Sequence, residues 1–420
     1  MSMTSRERLI RTLNHRSVDR VCVDFGATHV TGISAKAVTG LRRALLGETD
    51  YRVKVSEPYQ MLGEIDDALA EAVGVDVMEV LGPRTMFGFA KTDWKPFTLF
   101  DGTKVLVPDK FNVTGDGRGG YFIYPEGDTS VAPSGRMPKD GYYFDAVCRQ
   151  GPIDDDNLDP ADNLVEFGPL SDADLAWYVK LADATAARGK GAILSAPGTA
   201  FGDIALVPAC WMKETPGIRD IEEWYISTAA RRDYVYKVFE GQLQIALKNL
   251  GRLAAALGDK VQAAFVTGTD FGTQRGLFIS PAAYRDLYKP FHKAVNDFIH
   301  RHTTWKTFIH SCGSVRALLG DFIEAGFDIL NPVQCSAEGM EPEALKREFG
   351  RDIVFWGGGV DTQRTLPFGT PDEVYRQVGR RIEIFNEGGG FVFNTIHNIQ
   401  SNTPVENMLA MVRAIRDSAS

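Results

Sequence analysis

Cysteine is scarce in this chain of 420 residues. The five that occur, Cys22, Cys148, Cys210, Cys312 and Cys335, are scattered and odd in number. A disulfide scaffold, which is short and dense in cysteine, is thereby excluded, and the thiols stay available for metal binding or catalysis. Long apolar runs are also missing, none approaching the roughly 18–20 residues of a membrane span. The opening MSMTSRERLIRTLNH is charged and helical in pattern, without an apolar segment of signal-peptide length. A reduced, cytoplasmic protein is expected. Nor is there an excess of positive charge: the formal net charge is −9, which favours neither nucleic acid nor a membrane surface as partner. No GxGxxG or GxxxxGK(S/T) opens a helix, which argues against a nucleotide-binding sheet.

What the chain does contain is a series of short apolar runs, most followed by a helix-period segment. The runs are VCVDFG (21–26), VDVMEVLG (75–82), GAILSAPG (191–198), VQAAFVTGTD (261–270), WKTFIHSCG (305–313), FDILNPVQ (327–334), DIVFWGGG (352–359) and GFVFNTIHN (390–398). They are rich in Val, Ile and Phe without strict alternation, as suits strands buried on both faces of a parallel sheet. Segments such as SPAAYRDLYKPFHKAVNDFIHRH and TPDEVYRQVGRRIEIFNEGG carry cap residues at their starts and read as helices between them. Eight strands alternating with helices predict an α/β fold, a (β/α)8 barrel over residues 1–420 with an N-terminal helical extension. A doubly wound open sheet is the alternative, since periodicity does not show closure. Residues 95–165 differ: the DG turn in TLFDGTKVLVPDKF and the Gly-rich aromatic stretches after it predict a β-rich insertion over one end of the barrel.

In a barrel, function collects at the C-terminal ends of the strands. Polar residues concentrate there: Asp24 and His29, Thr269 and Asp270, His310 and Cys312, Asn331 and Gln334, Asp361 and Gln363, then Asn394, His397 and Asn398. His310-x-Cys312 on its own is a weak metal signal. Zinc needs three or four N, S or O donors, and further ligands would have to come from Cys335 or His397.

HSCGSV, FDILNPVQ, FWGGGVDTQRTLPFGTPDEV and TIHNIQSNTPVENM together resemble the uroporphyrinogen decarboxylase superfamily, and within it the corrinoid-linked zinc methyltransferases. The similarity is clearest from about 257 to 415. It implies a (β/α)8 barrel and zinc held by a His-x-Cys pair with a Cys seven residues before the Pro of a TP-x-EN segment. In TPVENM that Pro is Pro404, and the residue in the Cys position is His397. The resemblance therefore implies zinc on His310, Cys312 and His397, with imidazole where relatives have thiolate, an exchange zinc tolerates. It implies methyl transfer between a corrinoid, methylcobalamin or a separate corrinoid protein, and a thiol, folate or methoxy-type substrate. The chain shows no DxHxxG corrinoid motif of its own. The metal-free decarboxylases grip propionates with an N-terminal arginine signature, whereas this chain has no arginine between Arg20 and Arg42. A decarboxylase-like lyase and a non-catalytic corrinoid- or tetrapyrrole-binding barrel are the alternatives.

Each of these residues also has an ordinary structural reading. Asp270 is a candidate general base or a helix cap, and Asp361 a catalytic group or part of a tight turn. Asn331, Gln334, Gln363 and Asn394 are amides suited to hydrogen-bond a cofactor, a substrate or the metal ligands. Cys335 reads better as a small buried residue than as a ligand. His15, His292, His300 and His302, on helical segments among charges, read as surface residues. Expected partners are a small-molecule substrate and a separate corrinoid protein, with the chain a monomer or homodimer.

Overall fold

The computed structural model describes residues 3–418. Eight parallel strands form one sheet: β1 (Cys22–Val23), β2 (Val77–Val80), β3 (Gly191–Ser195), β4 (Ala263–Thr267), β5 (Lys306–His310), β6 (Ile329–Asn331), β7 (Val354–Trp356) and β8 (Phe391–Phe393). Each lies inside one of the eight apolar runs read from the sequence. The spatial order is β1, β8, β7, β6, β5, β4, β3, β2, so the first and last strands of the chain pair and the sheet curls into a nearly closed barrel. The open-sheet alternative is set aside.

The absence of simple alternation follows from burial on both faces. Inward side chains, among them Cys22, Val77, Ile193, Phe265, Phe308, Val354, Trp356 and Val392, fill the lumen. Outward ones pack under the helices in a second, larger cluster. Leu9 and Leu13 of the N-terminal helix Ser5–Leu13 join the lumen cluster and plug its lower end. Gly191 permits that plug, because a Cβ there would stand 2.4 Å from Leu9.

The seam between β1 and β2 has no strand ladder. Asp76, fully buried, stitches its lower end instead. Its N–H donates to the Val23 carbonyl at 2.8 Å. Its carboxylate accepts from Val23 N–H at 3.0 Å, from Arg8 at 2.6 Å and from Arg20 at 2.7 and 2.8 Å. Above this point the two strands part.

Between β2 and β3 the chain forms antiparallel structure, as the turn signals predict. Trp94–Thr98 and Lys104–Pro108 make a hairpin, and Val113–Gly115, Tyr121–Ile123, Gly135–Met137 and Asp145–Ala146 make a four-stranded sheet. The aromatics of this region interlock, Phe87 against Phe144 at 5.7 Å and Phe97 against Phe111 at 5.1 Å. Among the described residues no helix is long and apolar enough to cross a membrane.

Candidate metal centre

Register decides which side chains enter the barrel. Phe308 points into the lumen, so His310, two residues on, does too. The chain then turns through Ser311 and Cys312 at Gly313, whose φ is +87° and whose Cβ would stand 2.4 Å from Gly272. Only glycine serves both conditions, and the turn sets Cys312 back toward its neighbour: His310 Nε2 and Cys312 Sγ are 3.4 Å apart. His397, on the loop after β8, completes the group. One donor atom from each of the three lies within 4.8 Å of the others.

Asn331 pairs with His310 across the β5–β6 ladder. Its Nδ2 donates to the Trp356 carbonyl at 2.8 Å, which leaves Oδ1 facing His310 Nδ1 at 2.6 Å. An amide oxygen only accepts, so Nδ1 carries the proton and Nε2 presents a bare lone pair to Cys312. Burial pushes His310 down to about 4, with the Asn331 bond opposing. Burial and the nearby His310 hold His397 at about 4 as well. Both imidazoles are therefore neutral near pH 7, as ligation requires. Burial, then Asp270, pushes the Cys312 thiol well up. The donor set of two nitrogens and a sulfur suits zinc, and donors on a tetrahedral zinc stand about 3.5 Å apart given its bond lengths, close to the observed His–Cys separation.

Asp270 follows β4 and accepts the Cys312 N–H at 2.6 Å, so it holds the ligand loop rather than capping a helix. Burial raises its carboxyl, while Cys312 and His397 oppose. Asp203, beside it, is pushed up to about 7 by burial first and Asp270 second. Asp24, between Ala27 N–H and Trp356 Nε1, is likewise pushed up to about 7 by burial. Both start from 3.8, so the folded state holds these protons more tightly than the unfolded chain. Stability present at low pH is lost as pH rises through about 7, at most about 4 kcal/mol per group. Melting temperature is expected to fall from pH 5 to pH 8, and to fall less in Asp24→Asn/Asp203→Asn; equal slopes in thermal melts would contradict this.

The remaining expected site residues divide. Gln334 Oε1 accepts the Gly313 N–H at 2.7 Å and Asn331 Oδ1 faces His310 Nδ1, so of the readings open to these amides the structure places both against the metal-ligand group and its loop. Asn394 donates to the carbonyls of Asp24 and Thr31. Asn398 ties Gly32, His29 and Gln60 together. Asp361 and Gln363 are not brought to the three donors: the Asp361 carboxylate caps its own turn, accepting from Gln363 and Arg364 N–H, and Gln363 is exposed. Cys335 lies outside the group, against the Val333 carbonyl. His292 is not a surface residue; it is fully buried in the inner stripe of Lys289–His302, held at about 3 by burial.

Sequence reasoning gave His29 little weight and missed Glu79. Burial first, then His310, Lys91 and His397, hold His29 at about 4, so it stands beside the donor group. Glu79 is a charge at an inward position of an otherwise apolar strand, two residues after the lumen residue Val77. That anomaly was available in VDVMEVLG.

Fold and site together define a (β/α)8 barrel with a metal-competent His–Cys–His group at the C-terminal ends of its strands, where barrel enzymes keep their active sites. Residues 215–418, the C-terminal part of the chain, match the family model described as uroporphyrinogen decarboxylase (URO-D). Among solved structures the chain is similar in fold to a methyltransferase from Methanosarcina mazei, at 15% identity and a TM-score of 0.53, with 99% of each chain covered. No curated protein matches it in sequence.

Proposed function

We propose that the protein is a zinc-dependent methyltransferase, moving a methyl group between a corrinoid and a small thiol, folate or methoxy-type substrate. The observation that carries this reading is the convergence of His310, Cys312 and His397 within 4.8 Å, with the His310 tautomer fixed for ligation by Asn331. Zinc held by these three would supply Lewis acidity, lowering the pKa of a thiol or water bound beside them. The chain's own residues do the rest. Asn331 keeps Nε2 of His310 unprotonated and aimed. Asp270 and Gln334 pin the Cys312–Gly313 turn through its N–H groups. Phe265, Phe308 and Trp356, with rings 5.1 and 5.4 Å apart, floor the lumen and exclude water from below. The similarity in fold to a methyltransferase agrees with this reading.

The expected result is one zinc per chain in the purified protein and demethylation of methylcobalamin when a thiol is supplied, abolished by a chelator and restored by zinc. Folded protein that takes up no zinc sinks the proposal. So does zinc-loaded protein that releases carbon dioxide from a carboxylated substrate and leaves methylcobalamin intact.

A further inference from the structure

The unladdered upper part of the β1–β2 seam opens into a cleft of about 380 Å³, within the range of small-molecule sites. It passes through the barrel wall, because inward Val77 and Glu79 and outward Met78 of the same strand all line it. At its outer end stand Thr185 and Arg188, at and just past the end of the helix Asp172–Ala187; at its inner end stands His29, beside the donor group.

The charges along the cleft are paired except at one place. Glu64 pairs with Lys54 at 3.3 Å, Asp66 with Arg42 at 2.6 Å and Asp67 with Arg188 at 3.2 Å. Glu57 accepts from Tyr59 and Met86 N–H, which carry no charge. Glu79 has no hydrogen bond or ion pair among the described residues, and one ammonium, Lys91, acts on both carboxyls. Two carboxylates around one lysine leave a single negative charge uncompensated. Burial raises both carboxyls, with Lys91 opposing, which agrees with a fold that leaves them under-neutralised.

A second, independent observation points the same way. Asn394 is fully buried at an inward position, two residues after the lumen residue Val392. Its Nδ2 is spent on the β1 loop, and its Oδ1 has no partner. An unpartnered acceptor inside the barrel and a surplus negative charge in its wall both suit a ligand that brings an N–H donor and a positive charge.

We infer that the open β1–β2 seam is a side entrance for a small organic ammonium compound, whose charge is received by Glu79 on its way past His29 to the metal group. This rests on the methyl-transfer reading, which needs two reactants at one metal. A side entrance lets the small one reach the donors while a corrin covers the mouth. An anionic substrate would meet charge of its own sign in this passage.

The test is calorimetric titration of the zinc-loaded protein, without corrinoid, using trimethylammonium chloride and, as an uncharged probe of like size, tert-butanol. The cation is expected to bind and the alcohol not. Glu79→Gln should weaken cation binding by at least about tenfold, and Lys91→Met, which removes the competing ammonium, should strengthen it, while zinc content stays at one per chain in both. Equal binding of the two probes, or a cation affinity unchanged by both substitutions, overturns the inference. Because corrinoid is absent, failure here leaves methylcobalamin demethylation standing, and failure of demethylation leaves cation binding standing.

Discussion

Replacing His310 by Ala is expected to give folded protein without stoichiometric zinc, in which demethylation of methylcobalamin falls by at least about a hundredfold. Asn331→Leu is expected to fall between this variant and the wild type, binding zinc about 10–100-fold more weakly, the usual cost of losing a ligand's orienting partner. The grading follows from the geometry. His310 offers the donor atom itself, 3.4 Å from Cys312 Sγ, so its loss leaves two donors where a stable site needs three or four. Asn331 touches no metal. It fixes which nitrogen holds the proton, through one bond of 2.6 Å to His310 and one of 2.8 Å to Trp356. In Asn331→Leu the imidazole is free to turn or to switch tautomer, and part of its population no longer presents Nε2 to the site. Competition with a zinc-binding dye measures all three proteins. Equal affinity in Asn331→Leu and wild type would remove Asn331 from the account, and full zinc in His310→Ala would remove the centre itself.

Asp76→Ala is expected to cost about 3–5 kcal/mol of stability in denaturant titration, the scale for breaking a buried ion pair by deleting one partner. Asp76 is fully buried and Arg8 nearly so. Without the carboxylate, Arg8 keeps only Asp19 at 2.8 Å and the Met3 carbonyl at 3.0 Å, Arg20 loses two bonds, and the Val23 N–H loses its acceptor. The substitution strikes the one joint of the barrel where side chains do what a ladder does elsewhere. A loss below about 1 kcal/mol, the scale of an exposed pair, would show that the seam is held by packing alone.

The strands were legible because burial on both faces writes an unbroken apolar run into the sequence, and all eight lie where such runs fall. Closure was not legible, since it depends on β1 meeting β8 and on how Arg8, Arg20 and Asp76 stitch the seam. His310 and Cys312 stood out as a pair at a strand end. His397 emerged through family spacing, because no local rule joins it to a pair far upstream. Glu79 escaped notice for a physical reason: a lone charge in an apolar run looks like an outward residue until the register places it inside; His29 was named at a strand end but carried little weight there. His292 misled in the opposite sense, since its charged neighbours in sequence lie on the other face of the helix. Asp361, among glycines after β7, suggested a ligand approach and proved to bind the backbone of its own turn.

The ends of the chain are also joined at the site: Asn394 donates to the Asp24 carbonyl across 370 residues. Contacts of such separation form late and slowly. On a ribosome, β5 and its His-x-Cys pair emerge well before His397, so a growing chain can offer zinc two donors but not the third. A metal held by all three donors would therefore be loaded only once the last strand has been made.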